Sequence, residues 1–584
     1  MCGIFVYHIL DYSTEKNTIQ VTNDLSSDIL FFNASLMNYR GNTTNICKTP
    51  YTYMFHRRLA INDLTINGKQ PFHYKGIYCL INGEILNHKY LKSLLILDTE
   101  NHYMFHSKSD CEVVIPLYLK YGTKFINKLI GMFSGVIYDS NKNKLIAFRD
   151  PYGITSLYYG LTKNNNIVFS SDLKCLNNIC EDARQFPPGK LYNTYLSHND
   201  YDNKKNDSVI DYISSKFISY NDSKWNYGNY IPSKEFNLEI LKNLIIESVV
   251  TNVNEADANV GFLLSGGVDS SLVMAIAARH TKKPIHTFTI GFKGSPDVKA
   301  AESIIDHYKS KGIEIYHKSY IISIEEAISS LPDVINAIET YDLTTVRASI
   351  PMYLLMKRIK SFTNIKVILS GEGADELFSG YAYNRHAPDK KELHLESIDK
   401  IKKLYLYDNL RSHKCGLSNT IEIRPPFLYK PLVDYVLDID PHFRHPKSFS
   451  NPFTNTEYCE KYILRKCFDE NEFYLPNSIL WREKEQFSDG VSSYTSKYNL
   501  IDSIKNYANL AISDLEFETK NLKFLYNTPL TKEQYLYRNI FSKIFPKMQK
   551  VAEVNNKSIA CSTERAIRWM NITDENKIDP SGRI

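Results

Sequence analysis

The chain has 584 residues, with 70 Lys and Arg against 65 Asp and Glu for a net charge of +5, and it has no long basic run, so charge suggests no nucleic-acid partner. No apolar stretch approaches the roughly 20 residues that cross a membrane. Ten cysteines are scattered without a Cys-x-x-Cys pair, which leaves no common zinc framework and fits reduced thiols in a cytoplasmic protein.

At this length, with 43% hydrophobic and 23% charged residues, two large domains are expected rather than one core. The chain opens MCGIF, and the apolar run from Ile4 to Leu10 is too short and too interrupted by His8 for a signal peptide. It reads better as a first strand. Further short β-rich runs follow, among them YTYMFHRRLAI, IYCLINGEIL, FSGVIYDS, KLIAFRD and NIVFSSD, separated by turn residues. They predict antiparallel sheets over residues 2–195. Residues 196–235 are polar and irregular and read as a linker. Beyond them, over 236–550, strand-like NVGFLL, IHTFTIGF and IKVILS alternate with helical SLVMAIAARH and RASIPMYLLMKRIK. That alternation predicts a doubly wound parallel α/β domain. Residues 551–584 read as a polar tail with one short helix.

The densest signal is VGFLLSGGVDSS, where an apolar strand runs into Ser265, Gly266 and Gly267, and Asp269, Ser270 and Ser271 open a helix. Glycines let the backbone approach an anion, serines add hydroxyl donors, and the helix N-terminus offers free N–H groups. A tight capped turn would use the same residue types. The whole string, however, resembles the SGG-x-DS loop of the ATP pyrophosphatases, which cleave ATP between its α and β phosphates. A second strand-to-loop stretch, VILSGEGADELFSGY, sets Glu372 and Asp375 among glycines where open α/β sheets place their sites. Asp269 and Asp375 are therefore expected to share Mg²⁺.

Taken together, the strings FLLSGGVDSS, TFTIGFKGSPDVKAAE, ETYDLTTVRASIPMY, LSGEGADELFSGY, IEIRPPFL, EKYILRKCF and LWREKEQFSDGV resemble the asparagine synthetases of the glutamine-hydrolysing type, over nearly the full chain. The resemblance implies ATP, L-aspartate and L-glutamine as substrates and β-aspartyl-AMP as intermediate. It implies that Ser265, Gly266, Gly267, Asp269 and Ser270 hold the phosphates, with Lys484 countering charge that grows on them. Leu263, Ile290, Ser370 and Gly371 match adenosine positions. Glu372 matches the base that takes a proton as ammonia attacks, and Arg347 an aspartate- or phosphate-facing arginine.

The N-terminal strings RLAIND, NGEILNH, SDCEV, GMFSGVIYD and RDPYGI resemble class II amidotransferases, whose N-terminal-nucleophile fold is an αββα sandwich of antiparallel sheets. Cys2 is then the nucleophile once Met1 is removed. Its α-amine, with a pKa of about 7.7–8.0 against roughly 8.5 for a thiol, can take and return the proton. Asn82 and Gly83 become the oxyanion donors. Arg58 pairs with the α-carboxylate of glutamine, Glu84 and Asp110 meet its α-ammonium, and Leu59, Ala60, Ile61 and Asn62 complete the pocket. The family passes ammonia to the second site through an internal tunnel and is commonly a homodimer.

Some positions depart from the family pattern. Tyr39-Arg40-Gly41-Asn42-Thr43 stands where His-Arg-Gly-Pro-Asp is usual, and Lys108, Ser156 and Tyr429 replace a glycine, a proline and an aspartate. These bear on glutaminase efficiency and coupling more than on the reaction. A β-lactam-forming relative would be expected to lack Cys2. A sugar or phosphoribosyl amidotransferase would not need SGGVDSS, and a scaffold that had lost activity would show decay at the chemical positions.

Overall fold

The computed structural model describes residues 2–10, 25–37, 43–98, 103–194, 209–227, 230–483, 490–492, 499–551 and 563–570. The chain divides into two compact units. The first runs to Asp222 and takes in a later segment from Ser542; the second runs from Ser223 to Phe541 and includes the described residues 563–570.

Strands buried on both faces build most of the first unit. Its strands are β1 (Gly3–His8), β2 (Thr43–Lys48), β3 (Thr52–Arg58), β4 (Phe72–Tyr74), β5 (Ile77–Ile85) and β6 (Gly131–Asp139). They continue with β7 (Lys144–Arg149), β8 (Tyr158–Thr162), β9 (Ile167–Ser170), β10 (Cys180–Gln185), β11 (Lys190–Asn193) and β12 (Ile218–Ser219). Two six-stranded sheets result, ordered β10-β8-β9-β1-β3-β2 and β12-β11-β7-β6-β5-β4, and every strand pair is antiparallel. Between them lies a core to which β1 contributes Ile4 and Val6, β5 Leu80, and β6 Val136 and Tyr138. The alternate residues of β5, Ile77, Cys79, Ile81 and Ile85, pack outward with Leu91, Leu95, Val114 and Leu117 of the helices His88–Ile96 and Val114–Tyr121. A third helix, Ser27–Ser35, sets Phe31 edge-on to Phe55 of β3. Residues 209–219, inside the stretch read as a linker, form the helix Val209–Ser215 and the strand β12, which pairs with β11.

Five parallel strands organise the second unit: β13 (Val260–Leu263), β14 (His286–Gly291), β15 (Tyr316–Ile321), β16 (Val367–Leu369) and β17 (Glu422–Arg424), ordered β15-β14-β13-β16-β17. The first strand in the chain lies at the centre and its successors build outward on either side, so the strand order reverses between β13 and β16. Ligand crevices in open α/β sheets form at such a switch point, beyond the strands' carboxyl ends. The helices are capped as their sequences suggest. Ser295 accepts from the Val298 amide ahead of Pro296 at the first turn, and Asp342 accepts from the Thr345 amide at 2.8 Å.

Candidate active sites

In the first unit, strand phase sets the faces on which several of the expected residues lie. Leu80, Asn82 and Glu84 share the inter-sheet face of β5, and Cys2 continues the phase of Ile4 and Val6 just before β1. Cys2 is half-buried, with its Sγ 3.9 Å from the Leu59 carbonyl at the end of β3, where Gly3 pairs with Arg57. Ser171 ties the two sheets at this point: its Oγ accepts from the Ile4 amide at 3.1 Å and from Asn82 Nδ2 at 3.4 Å. The Asn82 amide has a second N–H to offer. Gly83 has φ 138°, and a Cβ there would stand 2.0 Å from the Met132 carbonyl oxygen on β6, so only glycine fits.

The loop 59–65 is closed by the residue that begins it. Arg58, buried, donates to the carbonyls of Thr65 (2.5 Å), Asn62 (3.3 Å) and Asp63. Gly68 allows this, since a Cβ there would lie 2.2 Å from Arg58 Nη2. Leu59 and Ile61 are buried in the turn, Ala60 and Asn62 half-buried, and Asn62 Nδ2 donates to Glu84 at 2.5 Å. Asp63, at φ 53°, joins this loop to the next: Oδ1 accepts from the Thr65 amide and hydroxyl, and Oδ2 from the Lys108 amide at 2.9 Å. Burial opposes its charge, but the Thr65 hydroxyl, the Lys108 and Thr65 amides and Arg58 hold its carboxyl below the ordinary range. Asp110 accepts from the Ile85 amide at 2.7 Å, which docks the 110–113 turn against β5.

Cys111 is a second thiol in this cluster. Burial pushes it well above its ordinary range, and Asp110, Glu84 and Cys2 add to the shift. A buried, protonated thiol is a poor nucleophile, which leaves the half-exposed Cys2 as the reactive candidate.

At the switch point of the second unit, two glycine loops close on each other. After β13, Ser265 and Ser270 meet at 3.0 Å between hydroxyls, and the Gly267 amide donates to Ser265 Oγ at 3.3 Å. Gly266 has φ 73°, and a Cβ there would lie 2.3 Å from Ala300 Cβ. After β16, Gly371 lies so close that a Cβ would stand 2.8 Å from Asp269 Cβ and 2.9 Å from the Ser270 amide. Ser370 is fully buried, Ile290 buried on β14, and Leu263 half-buried at the end of β13.

The acids Asp269 and Asp375 are held by a residue not singled out from the sequence. Lys461 Nζ lies 2.5 Å from Asp269 Oδ2 and 2.6 Å from Asp375 Oδ1, and its side chain is 2% exposed. Burial works against its charge, yet the two carboxylates hold its ammonium above the usual lysine range. Gly380 backs this pair, since a Cβ there would reach Asp375 Oδ1 and Lys461 Cε at 2.1 Å. The string EKYILRKCF carries Lys461, but nothing local says where its ammonium goes.

Lys484 lies outside the described residues, as does Arg40. Two residues before Lys484, Arg482 donates to the Gly266 carbonyl at 3.1 Å. Gly490, after it, accepts at its carbonyl from Ser295 Oγ at 2.8 Å. Arg347, on the helix Leu343–Phe362, gives its fork to Glu533 in two hydrogen bonds of 2.7 and 2.6 Å, and Tyr537 donates to the same carboxylate at 2.9 Å. Glu372 sets Oε1 3.5 Å from Arg411 Nη2, and its Oε2 is buried without a hydrogen-bond partner.

The short helix Glu564–Trp569 sets Ala566 against Tyr381 and Tyr383, just past the second loop. No helix among the described residues is long and apolar enough to cross a membrane.

Comparison with known proteins assigns both halves. A family model for asparagine synthase matches residues 241–394 and 385–571, and one for a glutamine amidotransferase domain matches residues 1–223. A glutamine-hydrolysing asparagine synthetase of Arabidopsis thaliana is 40% identical over 91% of this chain and 86% of its own length. One from Oryza sativa is 39% identical over 100% of this chain and 92% of its own. A nodule asparagine synthetase of Pisum sativum is 38% identical over 100% and 93%.

Proposed function

We propose how the reaction is divided in a chain that belongs to the glutamine-hydrolysing asparagine synthetases. The enzyme makes asparagine from aspartate and ATP with nitrogen drawn from glutamine. Cys2, with Met1 removed, attacks the glutamine amide carbon through Sγ, and its own α-amine takes the thiol proton. Asn82 Nδ2 and the Gly83 amide receive the oxyanion, and Arg58, Glu84 and Asp110 hold the two charged ends of glutamine. Ammonia leaves, and water hydrolyses the thioester.

In the second unit the β-carboxylate of aspartate attacks the α-phosphorus of ATP and pyrophosphate departs. The Ser265 and Ser270 hydroxyls, which bond to each other across the loop, would exchange that contact for phosphate oxygens, and Lys461 and Lys484 are assigned to the phosphate charge. Leu263, Ile290, Ser370 and Gly371 take the adenosine, and Arg347, with its fork on Glu533, is assigned to aspartate or phosphate. Ammonia from the first site then displaces AMP while Glu372 takes a proton. The observation that carries this reading is the closure of two glycine loops at the switch point, with Lys461 between Asp269 and Asp375.

Among the described residues no three His, Cys, Asp or Glu side chains gather as a metal cage. Lys461 lies on Asp269 Oδ2 and Asp375 Oδ1, so these two carboxylates would hold a Mg²⁺ arriving with ATP through their other oxygens, and the ion would keep waters and phosphate oxygens. Such an ion would neutralise the pyrophosphate leaving group. The nine described cysteines are free thiols, which supports a cytoplasmic enzyme. A homodimer belongs to the same proposal, and sedimentation tests it. Nucleotide analysis tests the chemistry: AMP and pyrophosphate are expected, and ADP with phosphate would refute the reading.

A further inference from the structure

The helix Asp408–Leu417 carries two buried or nearly buried cations. Lys414 is fully buried against Glu339, 2.6 Å from its carboxylate, which fixes the helix beside the loop that leads to Arg347. One turn earlier, Arg411 lies 2.8 Å from Asp408 through Nη1 and 3.5 Å from Glu372 Oε1 through Nη2. The Arg411 and Glu372 side chains are 13% and 9% exposed, so their attraction is little screened by solvent. Asp408 occupies the other terminal nitrogen, so the guanidinium is held on both sides.

We propose that Arg411 is a positioning residue for Glu372: it engages one carboxylate oxygen so that the other, Oε2, faces the amination step as proton acceptor. The inference rests on the assignment of Glu372 as the base of that step. Nitrogen of ammonia forms a bond to the aspartyl carbonyl carbon, the carbon–oxygen bond to AMP breaks, and one ammonia proton passes to Oε2. A carboxylate that rotates freely would offer either oxygen at many angles. With Arg411 on Oε1, a single buried oxygen remains, and a general base must be aligned with the proton it takes. Adenylation of aspartate makes no use of this contact. The two half-reactions should therefore respond differently to its loss.

The test uses the full-length enzyme with free ammonia as nitrogen donor, and compares Arg411→Met, Arg411→Lys, Glu372→Gln and the double variant Arg411→Met/Glu372→Gln. Aspartate-dependent ATP–pyrophosphate exchange reads adenylation, and asparagine formed per AMP reads amination. Arg411→Met is expected to keep exchange within about twofold and to lower asparagine per AMP by about 10-fold or more, with Arg411→Lys intermediate. Glu372→Gln is expected to lower the ratio further, and the double variant no further than that, because the two residues act as a unit. A folded Arg411→Met or Arg411→Lys with the wild-type ratio would overturn the inference. So would an equal fall in exchange and amination, or a double variant whose losses multiply. A wild-type ratio in Glu372→Gln would refute the assignment of the base itself, a result distinct from failure at Arg411 alone.

Discussion

Lys461 holds its ammonium 2.5 Å from Asp269, although 192 residues separate them in the chain. With Asp375 at 2.6 Å on the other side, the two acids do not face each other uncompensated. Lys461→Met should leave them mutually repelling in a buried site. We expect it to cost about 3–5 kcal/mol of stability and to abolish aspartate-dependent ATP–pyrophosphate exchange. Denaturation curves and exchange assays check both, and a stable variant with normal exchange would remove Lys461 from the site.

The thiol assignment separates two nitrogen sources. Cys2→Ala should lose synthesis driven by glutamine and keep synthesis driven by ammonia, because the second unit carries its own machinery. Steady-state assays with each donor decide it. Unchanged glutamine-driven synthesis would return Cys2 to an incidental role.

Gly68 lets the Arg58 guanidinium close the loop 59–65, and its backbone conformation is open to any residue. Gly68→Ala would place a methyl carbon 2.2 Å from Arg58 Nη2 unless the arginine moves. If Arg58 pairs with the α-carboxylate of glutamine, KM for glutamine should rise about 10-fold or more, the scale of one charge-assisted hydrogen bond. Ammonia-driven synthesis should not change. An unaltered KM would detach Arg58 from glutamine.

His394 couples stability to pH. It is fully buried, its Nδ1 accepts from Arg444 at 3.0 Å, and burial together with the Arg444 charge pulls its pKa down to about 3. The native protein thus keeps it neutral where the unfolded chain, near 6.5, would protonate. Its contribution is complete above pH 6.5 and is lost as pH falls toward 3, at up to about 1.4 kcal/mol per pH unit. Thermal midpoints at pH 7 and pH 5 should fall further in wild type than in His394→Asn. Equal losses would refute the assignment.

What could be read from the chain were features with short-range causes. The loops after β13 and β16 follow apolar strands at once, so their glycines, serines and acids announce themselves. Cys2, Asn82 and Glu84 converge because strand alternation fixes which side chains share a face. Contacts set by topology were less accessible. Lys461 reaches Asp269, Ser171 reaches Asn82, and Glu533 reaches Arg347 across distances along the chain that no periodicity encodes. The strand Ile218–Ser219 was hidden for a related reason. Both its residues are exposed at a sheet edge, so it lacks the apolar alternation that marks a strand.

The reading of two sites on one chain is tested most directly by incubating the enzyme with amide-¹⁵N glutamine, aspartate and Mg-ATP, and following label and nucleotide together. Labelled asparagine, with glutamate, AMP and pyrophosphate in matching amounts, is the expected result. Glutamate and AMP without labelled asparagine would contradict transfer between the sites, and the absence of AMP would contradict the phosphate loop.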